Sequence, residues 1–345
     1  MKIVIVNTNY WNSFPCDGGA GTESTVENLC IGLKKRNIDF SVIIPQRTIK
    51  RDYGFELIET KSRPERLESP NNFVNEVIDI INTRKSEFDI IMAHGHWSNA
   101  FIVSGLPLLT CIHCGFNKRP DNFIFNHPNQ FYRFVSKYQY DVFIKEDWEK
   151  QRSFYAFTGM NDDEFIFNEC KEDYYLWCSS LFWGFENKGM DDFIKLAQLN
   201  PNKNFIAYGV GSQNILDYLN IVSMKLSNFK WMGRLEQGNE HKRVFGNAKA
   251  FILTSKLPES LNRAAMEALC RGTVVLGYNV GSVSEEVQKH HGTYNNYFVL
   301  NKHLNDFFDY KASYEYARNT FHINNEIDQI LRHSESIVKY GKLYN

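Results

Sequence analysis

The sequence contains no apolar run approaching the roughly 18 residues of a membrane-spanning helix, which argues against an integral membrane protein. It has no excess of either charge. Thirty-nine Lys and Arg stand against 40 Asp and Glu, a formal net charge of -1. That excludes a strongly basic nucleic-acid binder, although a local basic groove is compatible with a neutral total. It lacks a disulfide framework: seven cysteines, an odd number, are scattered from Cys16 to Cys270. A reducing cytoplasm is the simpler reading, with no nucleic-acid partner. There is no solenoid-length repeat, no low-complexity tract, no Gly-x-Gly-x-x-Gly fingerprint and no Walker A loop. No convincing carboxylate motif for a diphosphate-bound metal is present, so neither a metal nor a tightly held cofactor is expected. The opening Met1–Asn7 reads as a buried strand and not as a signal peptide.

What is present is long enough for two domains. The 345 residues are 43% hydrophobic and 23% charged, with 27 Phe and 18 Tyr among a 15% aromatic content. Some of these rings could form an acceptor or membrane-contact surface; compositional bias is the simpler explanation. The first half alternates strand and helix. Strands are expected at residues 2–7, 41–44, 89–93 and 108–112. The helices between them carry stripes such as Val26, Leu29, Cys30, Leu33 and Val74, Val77, Ile78, Ile81. This is the rhythm of a mostly parallel sheet covered on both faces.

A polar stretch at Gly159–Glu164 marks a hinge, and a second alternating series follows from residue 174 to 277. The fold class is therefore α/β, two doubly wound Rossmann-like domains facing across a cleft. The expected boundaries are 1–163 for the first domain, 164–312 for the second, and 313–345 for terminal helices packing back on the first domain. Ligands bind beyond the carboxyl ends of parallel strands, so the Gly-rich strand exits near residues 18 and 209 are expected to open onto that cleft.

Two segments carry chemical signal. In Cys16-Asp17-Gly18-Gly19-Ala20-Gly21-Thr22-Glu23, clustered glycines after the first strand would let backbone approach an anion, although a plain tight turn needs them too. In Leu253–Val275 a strand ends, a polar loop carries Glu259, and a helix begins near Asn262 with Glu267 at its middle. The amides of Ser260, Leu261 and Asn262 lie where a helix amino end stabilises a phosphate. The two glutamates, about 12 Å apart along a helix axis, are too distant to flank one glycosidic bond and suit two parts of an extended ligand. Glu267 among Ala265, Met266, Ala268 and Leu269 is costly to bury unless it meets hydroxyl or N–H donors.

Glu259-(seven residues)-Glu267, followed by Ala268, Gly272-Thr273-Val274-Val275 and Gly281-Ser282-Val283-Ser284-Glu285, resembles the retaining glycosyltransferases of the family 4 type, with their two-domain GT-B architecture. The resemblance extends to Gly18-Gly19 and Glu23, to His113, and to Phe157–Asn161 at the domain junction. It continues through Lys188-Gly189-Met190-Asp191, Tyr208-Gly209-Val210-Gly211 and Met232-Gly233-Arg234-Leu235, so that ordered matches run over roughly residues 3–290.

The resemblance implies a nucleoside-diphosphate sugar donor, UDP- or GDP-linked, and a saccharide or lipid-linked acceptor. Glu259 would bind the transferred sugar's hydroxyls and Glu267 the ribose hydroxyls. Lys188 would neutralise the diphosphate, helped by the amides of Ser260, Leu261 and Asn262 and by the turns at Gly19-Ala20 and Gly209. Arg234-Leu235 would line the base, and His113 would approach the sugar or its leaving oxygen. Glu285 would lie near donor hydroxyls, unless it is a simple helix-start acid. A cytoplasmic enzyme of cell-surface glycan or polysaccharide synthesis is implied, with peripheral contact to the inner face of a membrane compatible with it.

Aligned on Lys188-Gly189, Trp183 stands where the family usually has an arginine that pairs with the lysine. Arg263 and Lys256 are the candidate replacements. A sugar-nucleotide epimerase, a phosphorylase, or a binding protein without turnover are the alternatives on the same architecture. His94-Gly95-His96 with Cys111, His113 and Cys114 suggests a zinc site, but Cys111-x-x-Cys114 lacks a second pair, and His113 suits the cleft better. Residues 46–70 and 115–133, polar and aromatic insertions beyond strands, are the acceptor-side candidates.

Overall fold

The computed structural model describes residues 1–8, 14–16, 21–47, 49–62, 71–95, 98–113, 118–119, 125, 127–287, 293–306 and 308–344, without the side chains of Asn71 and Glu286. The chain divides into two compact units. The first comprises Met1–Cys114, Lys118–Asn161 and His322–Asn345, and the second is built on Asp162–Phe321. The chain passes from the first unit to the second at Asn161/Asp162. It returns to the first unit between Phe321 and His322, and residues 313–321 group with the second unit.

The first unit contains β1 (Ile3–Asn7), α1 (Gly21–Lys35), β2 (Phe40–Pro45), β3 (Glu56–Thr60), α2 (Asn71–Thr83), β4 (Ile90–His94), β5 (Leu108–Ile112), β6 (Gln130–Phe134), α3 (Lys137–Phe143), α4 (Asp147–Lys150) and β7 (Ser153–Tyr155). Its sheet has the order β3-β2-β1-β4-β5-β6-β7 with every pair parallel. β1, β2 and β4 are buried along their whole length, because helices cover both faces of a parallel sheet. Val26, Leu29, Cys30 and Leu33 of α1 are fully buried in one core, and Val74, Val77 and Ile81 of α2 enter another.

β3, β6 and β7 were not expected from the sequence. β3 is a charged edge strand, β7 is only three residues long, and β6 carries Arg133 through a buried position. A polar side chain there breaks the apolar pattern that betrays a strand.

The second unit contains β8 (Glu172–Ser180), α5 (Met190–Leu199), β9 (Asn204–Val210), α6 (Gln213–Lys225), β10 (Phe229–Trp231), α7 (Asn239–Asn247), β11 (Ala248–Leu253), α8 (Arg263–Leu269), β12 (Val274–Tyr278), α9 (Val283–Val287), β13 (Thr293–Tyr294), α10 (Tyr297–Lys302) and α11 (Tyr310–Phe321). Its parallel sheet has the order β10-β9-β8-β11-β12-β13, reversing direction between β8 and β11. α11 packs on α8.

The last helix, α12 (Ile323–Tyr340), returns to the first unit. Ile323, Ile327, Ile330 and Ile337 join the core under α1. Gly32 and Gly159 make room for it: a Cβ on either would fall 2.6 or 2.5 Å from Ile323. Among the described residues, no helix is long and apolar enough to cross a membrane.

Candidate functional site

The strand order of the second unit fixes where its ligand-facing loops gather. Where a doubly wound sheet reverses, the loops leaving two neighbouring strands turn to opposite faces and open a crevice between them. Here those loops follow β8 and β11, and they carry Lys188 and Glu259.

The two loops are stitched together by backbone. Asn187 O accepts from the amides of Lys256 and Leu257 at 2.8 and 3.3 Å. Thr254 Oγ1 donates to Gly189 O at 2.7 Å. Gly189 has φ +70°, and a Cβ there would lie 1.8 Å from Thr254 O, so the approach requires glycine. From the far side, Ser282 N donates to Glu259 O at 2.9 Å. Gly281, with φ +64°, leaves room for that contact: a Cβ would come within 2.3 Å of the same oxygen.

This framework sets Lys188 Nζ 2.7 Å from Glu259 Oε1, which also accepts from Ser255 Oγ at 2.8 Å. Both side chains are mostly enclosed, at 12% and 16% exposure. The pair is a charge-assisted hydrogen bond with little solvent to screen it. Sequence spacing alone had no means of pairing residues 71 positions apart.

Asn262 caps α8, its side chain accepting from Ala265 N at 2.9 Å. Ser260 is buried, while Leu261 and Asn262 are half-buried. One turn further along α8, Glu267 is 5% exposed. The donors its burial demands are present. Arg263 Nε donates to Oε1 at 3.0 Å, and His241 Nε2 lies 3.3 Å from Oε2. Arg271, itself buried, donates to the Glu267 carbonyl at 2.6 Å and to Glu164 at 2.5 Å. Burial by itself would raise the Glu267 carboxyl. The hydrogen bond from His241 and the charges of Arg263, His241 and Arg271 outweigh it and hold the group at about 2. Ser255, His241 and Arg271 carried no signal in the sequence, since each acquires its role from a partner on another element.

The two candidate replacements for the missing arginine are both engaged elsewhere. Lys256 Nζ is drawn to Asp191 and Asp192 at the amino end of α5, at 2.8 and 3.0 Å. Arg263 is committed to Glu267. Trp183, where the arginine was looked for, is 68% exposed in the short turn after β8, and its carbonyl accepts from Asn187 Nδ2 at 2.9 Å.

The remaining expected residues are dispersed. Gly209 has a packing reason of its own, since a Cβ would fall 2.2 Å from Ser179 O on β8. Arg234 is exposed beyond edge strand β10 and pairs with Glu236 at 2.8 Å, and Leu235 is half-buried beside it. Glu285 lies in α9, where its carbonyl accepts from the Tyr316 hydroxyl at 2.8 Å. Gly18, Gly19 and Ala20 lie outside the described residues, as do His96, Cys114 and parts of 46–70 and 115–133.

His113 belongs to the first unit, just past β5. Its Nε2 is 2.9 Å from Nδ1 of His94, the last residue of β4. Burial, followed by the charge of Arg133, holds His113 down to about 3, so its ring is neutral at ordinary pH. Among the described residues, no group of three or more His, Cys, Asp or Glu is placed to hold a metal ion.

Residues 181–310 match the family model described as glycosyl transferases group 1. Three solved structures with similar folds are AviGT4, a glycosyltransferase involved in avilamycin A biosynthesis (16% identity, TM-score 0.72, 99% of each chain), a glycosyltransferase from Rickettsia africae (17%, 0.72, 98% of this chain and 99% of that one), and Alr3699/HepE of Anabaena in complex with UDP (16%, 0.71, 96% and 99%). A protein of Klebsiella pneumoniae described as an uncharacterized 42.6 kDa protein in the cps region is 34% identical over 98 residues. That stretch is 28% of this chain and only 25% of the relative. The two parallel sheets and the likeness along almost the whole chain make the fold GT-B, with the Lys188–Glu259 pair inside the segment that matches glycosyl transferases group 1.

Proposed function

We propose that this chain is a retaining glycosyltransferase of the family 4 type. It would move a sugar from a nucleoside-diphosphate sugar, UDP- or GDP-linked, to a hydroxyl of a saccharide or lipid-linked acceptor. The observation that carries the reading is the enclosed Lys188–Glu259 pair at the reversal of the second sheet, within the group 1 match. Supporting it, the Anabaena neighbour has been crystallised with UDP-glucose, and the Klebsiella relative is described as lying in a cps region. A place in cell-surface polysaccharide synthesis, on the cytoplasmic side and peripheral to the membrane, follows from the same proposal.

In this reading Lys188 meets the diphosphate and Glu259 the hydroxyls of the transferred sugar. Glu267, held ionised by Arg263 and His241, takes the ribose hydroxyls, and Arg234-Leu235 lines the base. The amides of Ser260–Asn262 and the turns at Gly19-Ala20 and Gly209 complete the phosphate contacts, and His113 approaches the sugar or its leaving oxygen. The bond from the anomeric carbon to the phosphate oxygen breaks through an oxocarbenium-like state. The acceptor oxygen bonds to that carbon on the same face, and its proton passes to the departing phosphate oxygen. No protein nucleophile is needed. Catalysis is positioning plus stabilisation of the charge growing on the diphosphate.

The test is a thermal-shift screen against nucleoside diphosphates and their sugars, followed by product analysis with any donor that stabilises the chain. Transfer releases free nucleoside diphosphate and a glycoside whose anomeric configuration matches the donor's. An inverted product would remove the retaining mechanism, and an isomerised sugar nucleotide would mark an epimerase. Dependence on inorganic phosphate would mark a phosphorylase. Binding without turnover would fit the loss of the arginine at Trp183.

A further inference from the structure

We propose that His94 is a positioning residue whose Nδ1–H donates to Nε2 of His113, leaving His113 with its proton on Nδ1 and fixing it as a hydrogen-bond donor rather than a proton acceptor. The role of His113 toward the sugar rests on the function proposed above; the tautomer of the pair does not.

The sheet places the two rings. In the register of the first unit, His94 of β4 stands opposite Cys111 of β5, which stands opposite Arg133 of β6. Side chains alternate between faces along a strand, so His113, two residues past Cys111, returns to the face shared by His94, Cys111 and Arg133. The two rings lie edge to edge, their centroids 5.2 Å apart and their planes 30° from parallel, and the nitrogens meet at 2.9 Å. Thr8 holds the backbone at this point, its amide and its hydroxyl both donating to His94 O at 3.0 Å. Behind the pair, Arg133 is anchored by a fully buried ion pair with Glu326 of α12 at 2.6 Å.

One proton lies between the two nitrogens, and burial decides which ring carries it. Both rings are neutral, because burial and the nearby Arg133 charge disfavour an imidazolium at either position. His94 is fully buried, and its Nε2 has no hydrogen-bond partner among the described residues. If His113 donated, neutral His94 would bear its proton on Nε2, a buried N–H with no acceptor. If His94 donates, its Nε2 is a bare lone pair instead. A buried donor left unpaired is the rarer and more costly of the two outcomes, so His94 donates. The same logic by which a second group sets the tautomer of a catalytic or metal-bound imidazole operates here between two histidines.

The direct test is a two-bond proton–nitrogen imidazole spectrum of the full chain labelled with nitrogen-15, with His113 assigned by its loss in His113→Gln and His94 by its loss in His94→Asn. The expected result is protonated Nδ1 and bare Nε2 on both rings; a protonated Nε2 on His113 overturns the proposal. This readout needs no substrate, so an absence of transferase activity would defeat the proposed function and leave the tautomer result standing.

Kinetics supply the second arm. In His94→Asn the amide nitrogen occupies the place of Nδ1 and keeps the donor, whereas His94→Leu removes it. His94→Asn should retain most of kcat, and His94→Leu should lose roughly 10–100-fold in kcat with a smaller change in the donor KM. Equal losses in two variants that melt at the same temperature would overturn the positioning role. If His94→Leu does not fold, the spectrum of the unmodified chain decides.

Discussion

Lys188 on the loop after β8 and Glu259 on the loop after β11 meet at 2.7 Å across the reversal point of the second sheet. The pair has a consequence before any ligand arrives. An enclosed cation and an enclosed carboxylate each keep the other oriented, so neither must be ordered by the substrate. With Lys188 at the diphosphate as proposed, Lys188→Ala should lower kcat by roughly 10²–10³-fold, the usual loss for one preorganised group at a developing oxyanion, with a smaller change in donor KM. Initial rates over a range of donor concentrations measure this. A loss confined to KM would assign Lys188 to ground-state binding alone.

Glu267 joins stability to the proposed donor site. Its carboxyl sits at about 2 in the folded chain against an ordinary 4.5. A depressed folded value stabilises above the unfolded value, so this contribution is fully present above pH 4.5 and is lost as pH falls toward 2. Its size is on the order of 3 kcal/mol. Denaturant melts of the unmodified chain and of Glu267→Gln from pH 7 to pH 3 should show a stability gap that narrows as the pH drops. A gap independent of pH would remove Glu267 from the acid response. At pH 7 the same variant should bind nucleoside diphosphate more weakly in calorimetry.

The buried pair Arg133–Glu326 ties α12 to β6 within the first unit, and Glu326 Oε2 also accepts from Gly159 N at 2.6 Å. Removing one charge leaves the other stranded in the core. Glu326→Gln should therefore cost about 3–5 kcal/mol in chemical denaturation. Replacing both residues by apolar side chains of similar volume should recover much of that loss. Single and double variants of equal stability would contradict the pairing.

Gly189 is constrained by both its backbone and its neighbour. Gly189→Ala puts a Cβ on a residue with φ +70° and within 1.8 Å of Thr254 O, so the loops of Lys188 and Glu259 must move apart. The variant should melt at a lower temperature and lose transferase activity more than its fraction folded explains. Gly341→Ala, at the end of α12, shares the positive φ but meets nothing within 4 Å, and it serves as the control for backbone strain alone. If both variants lose activity equally, the contact with Thr254 is not the cause.

Where a strand or helix is buried as one continuous stripe, the sequence was readable. Ile3–Asn7, Asp89–Ala93 and Val274–Tyr278 are apolar runs that admit little else, and the Val26–Leu33 stripe has only one helical face. β6 was not readable, because Gln130 and Arg133 break its apolar pattern. Arg133 is tolerated there only because Glu326, nearly two hundred residues later, supplies the opposite charge. The partners of Lys256 were hidden for a similar reason: Asp191 and Asp192, at the start of α5, come within 2.8 and 3.0 Å of it although they lie more than sixty residues earlier.

The sequence by itself determined the two α/β units, their strand-and-helix alternation and the residue types of the proposed donor site. Each of these follows from local periodicity or from an ordered set of short motifs. Tertiary structure alone decided which charges meet. It set Lys188 against Glu259, surrounded Glu267 with Arg263 and His241, and turned His94 toward His113. Hydrophobic patterning is written along the chain because burial depends on which face a residue occupies. Electrostatic partnership falls off over a few ångströms and depends on where distant loops end, so it exists only once the strands are in order.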